Sequence, residues 1–331
     1  MLSLTIKELE ALITELGGKP FVAKQLKSWL IKGVPFEGMT NLPKDLREKL
    51  RQTHGEGYAR IEEKHIAKDG TIKYLLALAG GGLVECVMMQ YHHGRTLCVS
   101  TQLGCAMGCA FCASGANGLV RNLTTAEMLS QLIAASEDGN ISNVVLMGSG
   151  EPLDNLANVL AFVRALQSDF GIGMRHISLS TCGLVPGIRK LAEEGLPLTL
   201  CISLHSATDE KRRVIMPVAK AYSVKQIIDA AAEYFKKTGR RVIIEYTLIK
   251  GFNDGTGDRQ ALKRLLKGLN CHINVIPLNS AAGSYQPPSE KEAYAFVAAL
   301  EKDGLSATMR RALGSEIEGA CGQLKLKREG K

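Results

Sequence analysis

The sequence Gly-Cys-Ala-Met-Gly-Cys-Ala-Phe-Cys occupies residues 104–112 and places Cys105, Cys109 and Cys112 in one short loop. Thiolates are soft ligands that suit iron–sulfur clusters and zinc. Three thiolates hold three corners of a 4Fe-4S cluster and leave one iron open, whereas electron-transfer clusters use a fourth cysteine. Zinc sites usually combine two separated pairs of ligands, and the sequence has no second pair beside this loop. The loop therefore predicts a 4Fe-4S cluster with an open iron, and a structural zinc loop is the alternative.

Size and charge set broad limits on the function. The chain has 331 residues, 45% of them apolar, so it can bury a large core and carry an accessory domain. Its net charge is +8, with basic runs at 211–213, 236–241 and 325–328. Such runs suit a polyanion such as nucleic acid, but they also occur on ordinary solvated surfaces. The charge pattern leaves both interpretations open.

Cysteine usage and the first residues bear on location. Nine cysteines occur without the paired pattern of a secreted protein, which indicates a reducing compartment. Lys7, Glu8 and Glu10 are charged where a signal peptide or a membrane span would be apolar. We therefore expect a cytoplasmic protein that does not enter a membrane.

Residues 4–54 have the pattern of a small helical unit. One apolar stripe at helical spacing is predicted to be buried: Val22, Leu26, Trp29 and Leu30. Pro35 and Pro43 divide the unit into short helices. Its many lysines and arginines suggest an RNA-facing surface as a hypothesis.

Residues 58–100 change to a strand pattern. Asp69-Gly70 predicts a hairpin turn, and the glycines at 80–82 predict a second turn. The strand at 83–89 is apolar except for Glu85. A lone glutamate there usually faces solvent at a sheet edge. A buried one would have a raised pKa, as a general base requires.

After the cysteine loop, strands and helices alternate. Strands are expected near 97–102, 142–147, 176–181, 198–204, 241–249 and 271–277, and helices near 124–138, 154–168, 186–194, 223–237, 257–268 and 289–302. Three helices begin with capping boxes: Thr124 with Glu127, Ser223 with Gln226, and Ser289 with Glu292. Six βα units predict an α/β protein with a parallel sheet, either an open (β/α)6 barrel or a doubly wound sheet. In both folds, active residues lie at the C-terminal ends of the strands.

Candidate ligand-binding residues fall at those strand ends. Gly150 lets the backbone approach a ligand closely, and Glu151 offers a carboxylate to an ammonium group. Further positions can hydrogen-bond a nucleoside cofactor: Ser180, Ser203, Leu204, His205 and Asn279. Each alone is an ordinary turn residue, and their shared placement supports a cofactor site. Cys321 lies beyond the last strand in a loop able to reach over a barrel mouth, although composition alone favours an idle surface thiol.

These motifs together resemble a known family. The cysteine loop, with Phe111 before its last cysteine, is similar to the radical-SAM superfamily motif. With Gly-Glu-Pro at 150–152, Ser-Leu-His at 203–205 and Ala-Cys-Gly-Gln-Leu at 320–324, the chain closely resembles the RlmN/Cfr family of radical-SAM RNA adenine methyltransferases. The resemblance covers nearly the whole chain. It implies a partial (β/α)6 TIM-like radical-SAM barrel with a small N-terminal helical accessory domain and a β extension.

The resemblance also implies domain limits and residue roles. We expect a helical accessory domain at 1–55, a β extension at 56–96, a radical-SAM core at 97–305 and a segment with a catalytic cysteine at 306–331. The cluster would be held by Cys105, Cys109 and Cys112. S-adenosylmethionine would be contacted by Gly150, Glu151, Ser180, Ser203, Leu204, His205 and Asn279.

Three residues outside the cluster loop would carry the chemistry. Cys321 would take a methyl group from one S-adenosylmethionine, and a second, cleaved at the cluster, would activate that methyl. The activated carbon would add to the adenine ring, and Glu85 would accept the ring proton. Cys98 would then release the product by forming a disulfide with Cys321.

The implied substrate is an unpaired or extruded adenosine in the peptidyl-transferase region of 23S ribosomal RNA, and in some members transfer RNA beside the anticodon. Pro152 after Glu151 is closer to the RlmN branch, which favours carbon 2 over the Cfr-like carbon 8. Ser149 and Cys182 depart from the usual pattern without removing a needed group, whereas Ser280 replaces a frequent proline. We expect a monomer that receives electrons from a donor such as flavodoxin or ferredoxin.

Two other classes remain as alternatives. A non-catalytic iron–sulfur or zinc RNA-binding protein would explain the charge and the loop, but it gives no role to Glu85, Cys98 or Cys321. A radical-SAM enzyme acting on a protein would need neither the tail cysteine nor the N-terminal unit.

Overall fold

A computed structural model of the chain describes residues 1–55, 57–278 and 285–317. Three helices form the N-terminal unit: α1 Ile6–Glu15, α2 Val22–Leu30 and α3 Lys44–His54. Val22, Leu26 and Leu30 are buried, which confirms the predicted stripe. Trp29 lies half-buried beside them and donates its Nε1 to Asn41. The helices thus pack around one apolar face, which joins the main core of the protein.

Three antiparallel strands follow: β1 Arg60–Ile66, β2 Ile72–Ala77 and β3 Leu83–Tyr91. They are connected by the two predicted turns, which confirms the hairpin signals at residues 69–70 and 80–82. β3 lies inside the sheet, between β2 and β4 (Gly94–Cys98). Glu85 is therefore only 4% exposed. Of the two alternatives that the sequence left open, the buried glutamate is the correct one, because β3 has hydrogen-bonded neighbours on both sides.

The remaining strands extend this sheet or form a separate ribbon. They are β5 Gln102–Gly104, β6 Leu119–Asn122, β7 Asn143–Leu146, β8 Ile177–Thr181, β9 Thr199–Ser203, β10 Val242–Leu248, β11 Cys271–Pro277 and β12 Ala307–Met309. Within the described residues the sheet has the order β1-β2-β3-β4-β7-β8-β9-β10-β11-β12, and every pair from β4 to β12 is parallel. The order never reverses, whereas a doubly wound sheet reverses at its switch point. The sheet is therefore that of an open barrel.

Helices separate the parallel strands: α4 Thr125–Ala135, α5 Leu156–Ser168, α6 Val185–Glu193, α7 Asp209–Ile215, α8 Val224–Thr238, α9 Thr256–Leu265 and α10 Glu290–Lys302. The predicted capping boxes are present at the starts of α4, α8 and α10. Three elements were not predicted: α7, the short β5–β6 ribbon and β12.

The main core lies between the sheet and the helices that cover it. In α8, Ile227, Ala231 and Tyr234 are fully buried at helical spacing. The Tyr234 hydroxyl donates to Leu198 O at 3.0 Å, so its polar end is satisfied inside the core. None of the helices in the described part of the chain is long and apolar enough to cross a membrane.

Candidate active site

The cysteine loop is held at both ends by backbone hydrogen bonds. Gly104 ends β5 with a φ of +80°, and a Cβ there would lie 2.0 Å from Gly118 O, so glycine is required for this close approach. Cys105 N donates to the same carbonyl at 3.0 Å. Further along, Ala110 N donates to Ile215 O, at the end of α7, at 2.9 Å. The loop is thereby fixed between the β5–β6 ribbon and α7.

The three cysteines of the loop differ in exposure. Cys105 is buried, Cys109 half-buried and Cys112 exposed. Burial raises the pKa of the Cys105 thiol to about 11 and that of Cys109 to about 12. Ligand binding must therefore displace protons from these thiols.

The number of these thiols bears on the two metal alternatives. The loop supplies three thiolate donors, from Cys105, Cys109 and Cys112. A structural zinc site is closed by four protein ligands, whereas three thiolates hold three irons of a 4Fe-4S cluster and leave the fourth iron open. The donor set therefore fits a 4Fe-4S cluster better than zinc.

Glu151 follows β7 in a tight turn. Gly150 has a φ of +109°, and a Cβ there would lie 2.7 Å from Gln102 N, so the turn needs glycine. The carboxylate of Glu151 accepts hydrogen bonds from Cys182 N at 2.7 Å and from Leu153 N at 3.0 Å. Burial raises its pKa, and these bonds oppose the rise. No cation forms an ion pair with Glu151 among residues 1–55, 57–278 and 285–317, so its charge fits a ligand ammonium group.

Ser180 and Ser203 end neighbouring strands and share one carboxylate. Glu245 Oε2, on β10, accepts from Ser180 Oγ at 2.6 Å and from Ser203 Oγ at 3.2 Å. Its other oxygen accepts no hydrogen bond within the described residues, and the guanidinium of Arg310 lies 3.7 Å away. Since both hydroxyls donate to Glu245, their lone pairs can accept from a ligand. These strand ends therefore offer several acceptors to a ligand that carries donors.

His205 connects the end of β9 to the cysteine loop. It has a φ of +55°, which is uncommon for a residue with a side chain. Thr247 N donates to its Nδ1 at 2.9 Å, and burial together with Arg212 lowers its pKa to about 3. The ring is thus neutral, and Phe111 of the loop packs edge-on against it at 4.9 Å. The side chain of Leu204 is buried in the main core, and its backbone carbonyl accepts a hydrogen bond from Arg212. Only the backbone of Leu204 therefore faces the strand ends.

Glu85 on β3 and Cys98 on the adjacent strand β4 point to the same face of the sheet. Cys98 is paired across the strands with Val87, and Glu85 is two residues before Val87, so the two side chains point to the same side. Glu85 forms an ion pair of 3.0 Å with Lys73, whose side chain is fully buried. Cys98 is also buried and packs in a small apolar cluster that includes Leu313. The predicted base and the predicted resolving cysteine are therefore near neighbours.

Two predicted site residues, Asn279 and Cys321, lie outside the described residues. The segment before Cys321 is described as far as residue 317. Leu313, eight residues before Cys321, packs in the apolar cluster of Cys98. Gly314 N donates to Asp69 Oδ2 at 2.8 Å, which ties the segment to the β1–β2 turn. The chain that leads to Cys321 is thus attached beside Cys98.

Two family models match the sequence. One, the ribosomal RNA large subunit methyltransferase N-terminal domain, matches residues 1–54, and the radical SAM superfamily model matches residues 99–261. The probable dual-specificity RNA methyltransferase RlmN of Alkaliphilus oremlandii is 48% identical over 99% of this chain and 97% of its own length. The chain belongs to the RlmN family of radical-SAM RNA methyltransferases.

Further relatives agree with this assignment. The probable RlmN of Clostridioides difficile is 48% identical over 98% of this chain and 96% of that protein. A crystal structure of a radical SAM methyltransferase from Sphaerobacter thermophilus superposes with a TM-score of 0.93, at 39% identity and with 98% of each chain covered. These findings confirm the predicted α/β radical-SAM fold. As an RlmN-family radical-SAM enzyme, the chain uses a 4Fe-4S cluster and S-adenosylmethionine.

Sequence reasoning missed two buried charged residues of this RlmN-family site. Glu245 stands alone in the apolar strand β10, which is the same signal that singled out Glu85. Arg212 is fully buried, although it lies in the basic run 211–213 that was interpreted as a polyanion-binding or solvated surface. Its position in α7 gave no sign of burial, because both of its neighbours in the run are charged.

Proposed function

We propose that this RlmN-family enzyme methylates carbon 2 of an adenosine in the peptidyl-transferase region of 23S ribosomal RNA, and of transfer RNA beside the anticodon. The methyl group is carried on Cys321. One observation above all supports this proposal: Glu85, Cys98 and the segment leading to Cys321 share one side of the β extension. The curated relatives named above are called dual-specificity RNA methyltransferases.

The residues divide the reaction as follows. The thiolate of Cys321 attacks the sulfonium methyl of S-adenosylmethionine, forming a sulfur–carbon bond and releasing S-adenosylhomocysteine. When bound, the cluster and a second S-adenosylmethionine supply the one-electron chemistry that removes a hydrogen atom from this methyl. Glu85 accepts the proton of the ring carbon once the adduct has formed. The Cys98 thiolate then attacks the sulfur of Cys321: the sulfur–sulfur bond forms, the bond from that sulfur to the transferred carbon breaks, and the carbon keeps the electron pair and takes a proton to become the methyl group. The disulfide that remains is reduced by cellular thiols.

The cofactor residues have matching tasks. Cys105, Cys109 and Cys112 hold three irons, and Glu151 pairs with the ammonium group of S-adenosylmethionine. Ser180, Ser203 and the backbone at Leu204 and His205 contact its nucleoside, with Asn279 completing the site. The enzyme works as a cytoplasmic monomer and receives electrons from a flavodoxin or ferredoxin. We propose that the functional units are residues 1–55, 56–96, 97–305 and 306–331.

Mass spectrometry of cluster-loaded enzyme tests the proposal. We expect one added methyl group on Cys321 after incubation with S-adenosylmethionine. Cys98→Ala should accumulate protein covalently joined to RNA. The matched control is Cys271→Ala, because Cys271 is a half-buried cysteine at the opposite end of the barrel strands. Active enzyme with unmodified Cys321 would overturn the mechanism.

Digestion of the modified RNA identifies the methylated atom. Comparison with nucleoside standards should give 2-methyladenosine. Recovery of 8-methyladenosine would instead assign the Cfr-like reaction, and absence of any methylation in cluster-loaded enzyme would favour a non-catalytic RNA-binding protein.

A further inference from the structure

Arg212 is a fully buried cation with an unused donor. Its Nε donates to Leu204 O at 3.0 Å, and its Nη2 donates to Cys182 O at 2.5 Å. Its Nη1 is buried and has no hydrogen-bond partner within the described residues. A buried donor without an acceptor destabilises a protein, and more so when it is charged. An acceptor from outside the chain would remove this penalty.

The surroundings of Arg212 point to the cysteine loop. α7 is bonded to the loop through Ala110 N and Ile215 O, and Ile215 packs in the same apolar cluster as Cys109. Cys182, whose carbonyl accepts from Arg212 Nη2, packs in that cluster as well. Arg212 is therefore attached to the apolar cluster that contains Cys109 both through α7 and through Cys182.

No carboxylate forms an ion pair with Arg212 in the described part of the chain, although the charge of Asp209, three residues earlier in α7, acts on it. Glu151 and Arg212 are bonded to the same residue and not to each other. Cys182 donates its backbone N–H to Glu151, and its carbonyl accepts from Arg212. The charge of Arg212 thus remains available. A 4Fe-4S cluster with three thiolates is an anion, and its negative charge increases by one on reduction. Hydrogen bonds to its sulfurs and nearby charges set its potential.

We propose that Arg212 sets the reduction potential of the cluster, with Nη1 donating a hydrogen bond to a sulfur at the Cys109 corner. This contact stabilises the reduced cluster more than the oxidised one, since the added electron increases the negative charge beside the guanidinium. In this proposal Arg212 contacts the cluster directly and takes no part in binding RNA or in carrying the methyl group. The inference rests on the cluster site alone and not on which RNA atom is methylated.

The test is a redox titration of the full-length, cluster-loaded protein without RNA or S-adenosylmethionine, followed by electron paramagnetic resonance. We expect Arg212→Met and Arg212→Gln to make reduction at least tenfold less favourable, which is about 59 mV for a one-electron couple. Arg240→Met is the matched control. Arg240 also has a buried Nε without a hydrogen-bond partner, but it precedes β10, at the opposite end of the strands.

Iron and sulfide content verify that each variant carries the cluster. An unchanged potential in the two neutral variants would overturn the proposal. It would also be overturned by weaker S-adenosylmethionine binding at an unchanged potential, because Arg212 would then serve the cofactor. If neither neutral variant folds, Arg212→Lys decides: a smaller fall in potential is expected, and a wild-type potential counts against the proposal. A failed search for methylated Cys321 would leave this result unaffected.

Discussion

Two regions of the molecule bury a cation near a carboxylate, and they treat the pair in opposite ways. In the β extension, Lys73 and Glu85 form a direct ion pair of 3.0 Å. Beside the cysteine loop, Arg212 and Glu151 are kept apart by the backbone of Cys182. The first pair compensates its own charges. In the second region the two side chains form no direct ion pair, so in the proposed cofactor site both charges would be compensated by the ligands.

The pKa shifts agree with this difference. Burial raises the pKa of Glu151 and lowers that of Arg212, so each charged form is disfavoured in the unliganded protein. A carboxylate with a raised pKa stabilises the fold at low pH, and that contribution is lost as the pH rises through its folded pKa. A bound ammonium group would lower the pKa of Glu151 again, because it favours the carboxylate. Without ligands, this region therefore holds two charged groups whose charged forms are disfavoured by burial.

The largest effect is expected from Glu85→Gln, which keeps the shape of the proposed base and removes its charge. Loss of a general base lowers turnover by about 10²–10⁴-fold. Methylation of Cys321 should be unaffected, and a covalent protein–RNA adduct should accumulate, seen as a shift on a denaturing gel. Product formation at the wild-type rate would remove Glu85 from the mechanism.

Lys73→Met tests whether the β-extension pair is self-compensating. Glu85 is then buried without its cation, and breaking a buried pair typically costs about 3–5 kcal/mol of unfolding free energy. Denaturant unfolding measures this loss. The double variant Lys73→Met/Glu85→Leu is the control, since replacing both partners by apolar residues is often neutral. A single variant as stable as the wild type would show that the pair does not act as a unit.

Much of the larger structure could be predicted because its determinants are local. The capping boxes at Thr124, Ser223 and Ser289 begin α4, α8 and α10 within one residue of expectation. α7 escaped prediction because Thr208, the residue before it, makes no side-chain cap. The β5–β6 ribbon was missed because its strands have three and four residues and pair across the cysteine loop.

The site was predictable where a residue breaks a pattern. Glu85 stands out in an apolar strand, and its burial follows from sheet order, which the sequence does not reveal. Arg212 does not stand out in the sequence, because it lies between two other basic residues and only its side chain is buried. Its burial depends on how α7 docks against residues 182 and 204.

Glu151→Gln tests the open half of the comparison. The amide keeps the size of the side chain and cannot pair with an ammonium group, so S-adenosylmethionine should bind about 10- to 100-fold more weakly, as expected for loss of a charged hydrogen bond. Equilibrium binding to cluster-loaded protein measures this. Glu85→Gln is the control and should bind S-adenosylmethionine as tightly as the wild type. Equally weakened binding in both variants would show that Glu151 has no specific role in binding the cofactor.

The smallest effect is expected at Asp69, which links the β extension to the segment before Cys321. The amide of Gly314 holds the pKa of this carboxyl below its usual range, so the contact is complete at neutral pH and is lost as the pH falls through that lowered value. Asp69→Ala removes this charge-assisted hydrogen bond and a second one within the turn, in which Asp69 Oδ1 accepts from Thr71 N at 2.9 Å. We expect methylation of Cys321 to slow by roughly two- to tenfold, as measured by mass spectrometry over time. Asp229→Ala, a change of an exposed aspartate on α8, should have no effect. A wild-type rate in Asp69→Ala would mean that the segment is positioned by the packing of Leu313 beside Cys98 rather than by its anchor.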